Sequence, residues 1–281
     1  MYKEFIRCYE LFRDRGVSDP LIETLRLFDV LSSGALRGTD LSFLDKQGIP
    51  LDEIVRRRKE GVPFEYVLGI APFMGFTLYC TPETLIPRHD TELLAQTVLN
   101  LIERMERPVT VIDMGTGSGN IAVALAMNAA GVKVLASDVS AAAIEVARRN
   151  IEKYSLQERV LLFSGDLFAP LRGMEHEGNI DLVVCNPPYI PTKSLAKLDA
   201  GITDHEPLVA LDAGTYGIDV FRRLLVEAAD FIKPRGMLTF EMGAGQEKLV
   251  ERLIEKNGQY ENIEYFRYDG RIRVVSVVRK G

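Results

Sequence analysis

Val111-Ile112-Asp113-Met114-Gly115-Thr116-Gly117-Ser118-Gly119-Asn120-Ile121-Ala122 joins two segments of different character. An apolar run ends in an acid, three glycines follow at alternate positions, and a segment rich in small residues comes next. Glycines permit tight turns and let main-chain N–H groups approach a ligand at a helix N-terminus. A structural turn needs one glycine, so three in this spacing predict a binding loop between a strand and a helix. Outward from the loop, a helix near Thr91 to Met105 precedes an alternation of segments: Val109 to Asp113, Lys133 to Asp138, Ala141 to Tyr154, Val160 to Phe163 and Ile180 to Cys185. Strands separated by helices imply a parallel sheet covered on both faces. Met237 to Glu241 reads as a strand and is followed by a helix through Ile254. Ile263 to Tyr268 and Ile272 to Val278 are separated only by Asp269-Gly270-Arg271, too few residues for a parallel crossover. The expected architecture is α/β, with a mostly parallel sheet that closes in an antiparallel hairpin.

Residues 1–70 read as a small helical domain. Asp19-Pro20 is a cap and first-turn pair, and Leu21, Leu25 and Phe28 recur at helical spacing until Gly34. Leu41, Phe43, Leu44 and then Ile54, Val55 continue in shorter pieces, separated by Gly48-Ile49-Pro50 and Gly61-Val62-Pro63. Phe73-Met74-Gly75-Phe76-Thr77-Leu78-Tyr79-Cys80 is dense in aromatic residues with turn residues on both sides. It makes residues 71–87 a hairpin-like linker, ahead of the sheet domain at 88–281.

The chain has 281 residues, 47% of them hydrophobic and 26% charged, so a sizeable core is available without disulfide or metal support. No apolar run has the length of a membrane span, and Met1 to Arg7 lacks the uninterrupted apolar centre of a secretory signal. Cys8, Cys80 and Cys185 are far apart, and His89, His176 and His205 have no ligand spacing, so neither a disulfide framework nor a metal is expected. These features point to the cytoplasm. Net charge, 34 − 40 = −6, weighs against gripping a nucleic-acid backbone, which rests on Lys and Arg. Arg56-Arg57-Arg58-Lys59 is a basic exception and reads either as a solvated helix face or as a partner contact.

Gly117 to Ala122 also fits the Gly-x-Gly-x-x-Ala dinucleotide fingerprint, and Asp138 at the next strand end suits a ribose diol. The loop by itself fits either nucleotide. Asp113, however, would repel a pyrophosphate and attract the ammonium of an S-adenosylmethionine tail. Asp138 has a second reading as a helix cap, a role that Ser140 fills equally well. Asp166, in Ser164-Gly165-Asp166-Leu167, suits an adenine amino group, with Leu167 packing on the ring.

Asp181-Leu182-Val183-Val184-Cys185-Asn186-Pro187-Pro188-Tyr189 carries the chemistry. Prolines donate no ladder hydrogen bonds and hold the residues before them extended, so the turn is stiff and its carbonyls are free to accept. An amide or adenine NH₂ has its lone pair delocalised, and methylating it requires holding both N–H groups while the pair turns toward an electrophile. The side-chain oxygen of Asn186 and the main-chain carbonyl of Pro187 can grip those groups, with the Tyr189 ring against the flat face. Cys185, one residue inside the strand, reads as a small buried hydrophobe.

The Asn-Pro-Pro-Tyr turn resembles that of a methyltransferase class that includes adenine-specific DNA enzymes and protein glutamine methyltransferases. Phe73-Met74-Gly75-Phe76, Leu85-Ile86-Pro87-Arg88-His89-Asp90-Thr91-Glu92, Asp113 to Gly119, and Glu206-Pro207 with Gly217 and Asp219 together resemble the HemK/PrmC family, the peptide chain release factor glutamine methyltransferases. The resemblance implies a Rossmann-like class I methyltransferase with a seven-stranded sheet. It also implies S-adenosylmethionine as cofactor, S-adenosylhomocysteine as product, and the Gly-Gly-Gln glutamine of bacterial class 1 release factors as acceptor. Cofactor contacts then fall on Asp113, Met114, Gly115, Thr116, Gly117, Asp138, Leu167 and Asn186, and substrate contacts on Asn186, Pro187, Pro188 and Tyr189. The helical domain would help to recognise the partner. Family members usually carry Pro-Glu where His89-Asp90 stands, which keeps an acid, and often an aromatic residue where Leu167 stands. Arg88 reads equally as a wall of the cofactor cleft or as a clamp between domains. An adenine methyltransferase acting on nucleic acid and a noncatalytic release-factor- or ribosome-binding module are the rival readings.

Overall fold

A computed structural model describes residues 2–32, 48–198 and 203–281. Helices α1 (Tyr2–Asp14), α2 (Pro20–Ser32), α3 (Leu51–Lys59) and α4 (Phe64–Leu68) come first. They close on an apolar cluster that includes Cys8, Phe12, Leu27, Leu31, Ile54 and Phe64. Gly34, Leu41, Phe43 and Leu44 lie outside the described residues.

Two local expectations, the buried face of α2 and the exposure of Arg58, need correction here. Pro20 opens α2, and Asp19 before it has a left-handed φ of 49° and a carbonyl that accepts the first helical hydrogen bond, from Glu23 N at 3.0 Å. The buried face of α2 is Thr24, Leu27, Phe28 and Leu31, whereas Leu21 and Leu25 are about half exposed. Of the basic run, Arg56 and Lys59 lie on a solvated helix face, whereas Arg58 turns inward. Arg58 grips Glu23 through two nitrogens at 2.6 and 2.9 Å and lies over the Phe64 ring, while Arg56 pairs with Glu53 and Glu60.

Strands β1 (Ile70–Phe73) and β2 (Phe76–Tyr79) form an antiparallel hairpin around Met74-Gly75, both with positive φ, the geometry of a two-residue turn. Then follow α5 (His89–Ile102), β3 (Val109–Met114), α6 (Asn120–Asn128), β4 (Val132–Asp138), α7 (Ala141–Lys153), β5 (Val160–Ser164) and β6 (Ile180–Cys185). The chain ends with α8 (Thr192–Leu195), α9 (Asp219–Phe231), β7 (Ile232–Glu241), α10 (Glu247–Asn257), β8 (Tyr260–Tyr268) and β9 (Arg271–Arg279).

The seven-stranded sheet has the order β5-β4-β3-β6-β7-β9-β8, parallel through β7, with β9 antiparallel to both its neighbours. The mostly parallel sheet with a closing hairpin is thus the one expected. Alternation along each strand builds two cores. Val111, Val134, Leu182 and Val184 face α5 and α6, while Ile112, Leu135, Val183 and Phe240 face α9 and α10. The strand expected from Met237 starts five residues earlier, because Pro234 and Arg235, the latter at φ 67°, form an irregular entry that interrupts the apolar pattern. Helix α9 is an addition to the sequence segmentation.

Candidate active site

Strand register assembles the site at the C-terminal edge of the sheet. Met114 pairs with Ser137 on one side and Cys185 on the other, and Cys185 pairs with Phe240. The residues that leave these strands, Gly115, Asp138, Asn186 and Glu241, therefore emerge side by side. The strand order reverses between β3 and β6, the switch point where open α/β sheets bind ligands.

The glycine loop is braced from below. Asp113 is fully buried; its Oδ2 accepts from the Thr116 hydroxyl at 2.6 Å and from Ala122 N at 3.1 Å. Its Oδ1 has no hydrogen-bond partner, and burial pushes the carboxyl up to about 7. Gly119 has φ 78°, and a Cβ there would sit 3.2 Å from the Ala147 Cβ, so glycine lets α6 start hard against α7. Asp138 accepts from Gly117 N at 2.8 Å and from Ser140 N at 2.9 Å, while Ser140 caps α7 through Ala143 N. The capping role belongs to Ser140, and Asp138 turns its carboxylate to the loop.

A cleft of about 320 Å³ opens above this loop, lined by Met114, Gly115, Thr116, Gly117, Asp138, Asp166, Leu167, Asn186, Pro187 and Pro188. Asp113 stands behind that wall. Val139, Leu167 and Val220 give the far end apolar sides, and Val139 is about half exposed. Asp166 is held by both terminal nitrogens of Arg223, at 3.1 and 2.9 Å, so its carboxylate already has a partner.

A second cavity of about 270 Å³ adjoins the first; Leu85, Arg88, Asn186, Pro187 and Ala210 line both, while Tyr189, Glu241 and Arg273 belong to the second. Pro187 is buried, and Asn186 donates its Nδ2 to the Thr91 hydroxyl at 3.1 Å, which turns Oδ1 away from Thr91. The Tyr189 hydroxyl donates to Glu241 Oε1 at 3.1 Å and accepts from Arg273 at 2.7 Å; burial and the Glu241 charge raise its pKa, so it stays protonated. Gly217 closes the turn from below: its φ is 70°, and a Cβ would meet the Tyr189 carbonyl at 2.7 Å. Arg88 lines both cavities and pairs with Glu206, whose other oxygen accepts from Ile86 N at 3.3 Å. Its clamp joins the linker to the loop beyond Tyr189. Cys185 is buried, and desolvation raises its thiol well above the ordinary range, which suits an inert packing role.

Thr91, Glu241, Arg273 and Arg223 are site residues that the sequence reading did not single out. Glu241 did leave a trace, as an acid that ends the apolar strand Met237-Leu238-Thr239-Phe240. Among the described residues, no helix is long and apolar enough to cross a membrane.

Residues 89–200 match the family described as methyltransferase small domain. The chain is 41% identical over 229 residues to a release factor glutamine methyltransferase of Moorella thermoacetica, spanning 81% of this chain and 79% of that protein. It is 33% identical over 266 residues to one of Bacillus cereus, spanning 94% and 92%. Among solved structures, a ribosomal protein L11 methylase from Lactobacillus delbrueckii subsp. bulgaricus shares the fold, with a TM-score of 0.52 at 22% identity over 72% of this chain and 84% of that one. Identity of this order along most of the chain, on a methyltransferase sheet, is kinship beyond a shared architecture: the chain is an enzyme of the release factor glutamine methyltransferase family.

Proposed function

We propose that this enzyme transfers the methyl group of S-adenosylmethionine to the side-chain amide nitrogen of the glutamine in the Gly-Gly-Gln motif of bacterial class 1 release factors. The observation that carries the reading is that Asn186 and Pro187 line both cavities. An acceptor on the Tyr189 side and a cofactor on the glycine-loop side would meet at these two residues.

The residues fit the cofactor. Each Asp138 oxygen accepts one backbone N–H and keeps lone-pair capacity for a ribose hydroxyl. Val139 and Leu167 offer apolar faces to a purine, and the Asp113 carboxyl, with one unpartnered oxygen, lies behind the loop, where a bound ammonium would favour its charged form. Bound S-adenosylmethionine supplies a sulfonium methyl as the electrophile. Asn186 Oδ1 and the Pro187 carbonyl accept the two N–H groups of the glutamine, which holds its nitrogen on the line of attack and favours localisation of the lone pair. As the N–C bond forms and the C–S bond breaks, the amide nitrogen becomes strongly acidic and releases a proton to solvent. No titrating base is required, and the neutral Tyr189 ring serves as a wall. The helical segment, with its own apolar cluster, is the part we assign to reading the release factor.

The test is transfer of labelled methyl from S-adenosylmethionine to purified release factors, with the Gly-Gly-Gln glutamine replaced as control. Label on the intact factor and none on the control supports the reading. Label on bare adenine-containing nucleic acid instead would redirect it.

A further inference from the structure

The Asn186 amide must present its oxygen, and not its NH₂, for the reaction above. An asparagine amide is nearly symmetric in shape, so something has to choose the face. Thr91 on α5 and Glu241 at the end of β7 are both buried, at 2% and 1% exposure. The Thr91 hydroxyl donates to Glu241 Oε2 at 2.8 Å and accepts from Asn186 Nδ2 at 3.1 Å. An ionised carboxylate only accepts, and a hydroxyl has one hydrogen. Once that hydrogen points at Glu241, Thr91 can only accept from its other neighbour. Glu241 Oε1 meanwhile accepts from the Tyr189 hydroxyl and from Arg273, both at 3.1 Å, and Arg273 is anchored by Asp90 at 2.7 Å.

We propose that Glu241 and Thr91 are positioning residues, a two-step relay of fixed hydrogen-bond direction that turns the Asn186 oxygen toward the acceptor while the same carboxylate holds Tyr189. This rests on the functional reading above and assigns roles to residues that act through Asn186 and Tyr189, with Thr91 on the wall of the first cleft and Glu241 on that of the second. Burial raises the Glu241 pKa, and Asp90 adds to that, whereas Arg273 and the two hydroxyls favour the charge. The Arg273 contact at 3.1 Å keeps the carboxylate the acceptor.

Three variants test the relay in the full-length enzyme with release factor and S-adenosylmethionine. Thr91→Val keeps the shape and removes the hydroxyl, Thr91→Ser keeps the hydroxyl, and Glu241→Gln supplies an N–H that reverses the chain of donors and flips Asn186. The expected result is a fall in kcat of about 10- to 100-fold for Thr91→Val and Glu241→Gln, near-complete rescue in Thr91→Ser, and calorimetric affinity for S-adenosylhomocysteine within about twofold of wild type. A second measurement is independent of turnover: hydrogen exchange of the Asn186 side-chain amide by NMR should be slow in wild type and Thr91→Ser, and fast in Thr91→Val. Equal kcat losses in the Ser and Val variants, or wild-type turnover in Thr91→Val, would overturn the relay, as would unchanged Asn186 exchange. A wild-type enzyme inactive on release factor would instead remove the functional reading, with the exchange measurement still deciding the relay.

Discussion

Asn150 donates its side-chain N–H to the Ser118 carbonyl at 2.8 Å, from a position on α7 with no exposure to solvent. The same amide donates to the Tyr79 carbonyl at 3.0 Å and accepts from Tyr79 N at 2.6 Å. One side chain thus ties the glycine loop, α7 and the linker hairpin together. Replacing it with leucine leaves one buried and two part-buried main-chain groups without this partner, and a buried group left unsatisfied costs about 1–3 kcal/mol. Asn150→Leu is expected to lose about 3 kcal/mol of unfolding free energy in denaturant titration and to bind S-adenosylhomocysteine more weakly. Wild-type stability would show that water satisfies those groups.

Asp138→Ala is expected to weaken cofactor binding by about 1.5–3 kcal/mol, the range for hydrogen bonds to a charged group, while Ser140 still caps α7. Calorimetry on the folded variant gives the value directly. Unchanged affinity would limit Asp138 to bracing Gly117.

Asp113 gives a pH dependence. Its folded carboxyl is raised to about 7 by burial, above the roughly 3.9 of an unfolded aspartate, so folding takes up a proton between those values. The stability it contributes is fully present below the unfolded value and is lost as pH rises through about 7. Asp113→Asn removes that titration. Denaturant unfolding should therefore show wild type losing stability relative to Asp113→Asn between pH 5 and pH 8, and parallel curves would contradict the raised value.

Much of the fold was legible because its signals are local. Short apolar runs separated by helical segments mark the parallel strands, Asp269-Gly270 forces the closing hairpin, and the glycines and prolines at Gly115 to Gly119 and Asn186 to Tyr189 mark the turns at the strand ends. What was not legible depends on pairing across distance. Thr91 and Glu241 are 150 residues apart, and nothing in either segment announces that register will set them beside Asn186. Asp166 looked free for a ligand until α9 brought Arg223 to it. Arg58 looked like surface charge because its partner, Glu23, lies 35 residues upstream. The face of α2 differs for a related reason: Leu21 and Leu25 share a helical stripe, but Leu27, Phe28 and Leu31 are the ones that join the apolar cluster with α1 and α4.

That misjudged stripe bears on the partner. Leu21, Ile22 and Leu25 expose about half of their surface on the helical segment assigned to the release factor. Replacing Leu21 and Leu25 together with serine should lower kcat/KM for intact release factor by about 10-fold, the cost of a few buried apolar contacts, and leave a short Gly-Gly-Gln peptide unaffected. Equal rates for both substrates in the variant and wild type would move the recognition surface elsewhere.

The most direct test of the account is single-turnover methylation of intact release factor by Asn186→Ala at saturating S-adenosylmethionine, alongside S-adenosylhomocysteine affinity of the same variant. Asn186 stands at the strand end, outside both sheet cores, so folding and cofactor binding should persist. The expected result is a rate lower by about 10²–10³ with cofactor affinity largely intact, the scale for losing one preorganised polar contact in a transition state. A rate near that of wild type would contradict the assignment of Asn186 as the acceptor that grips the glutamine amide.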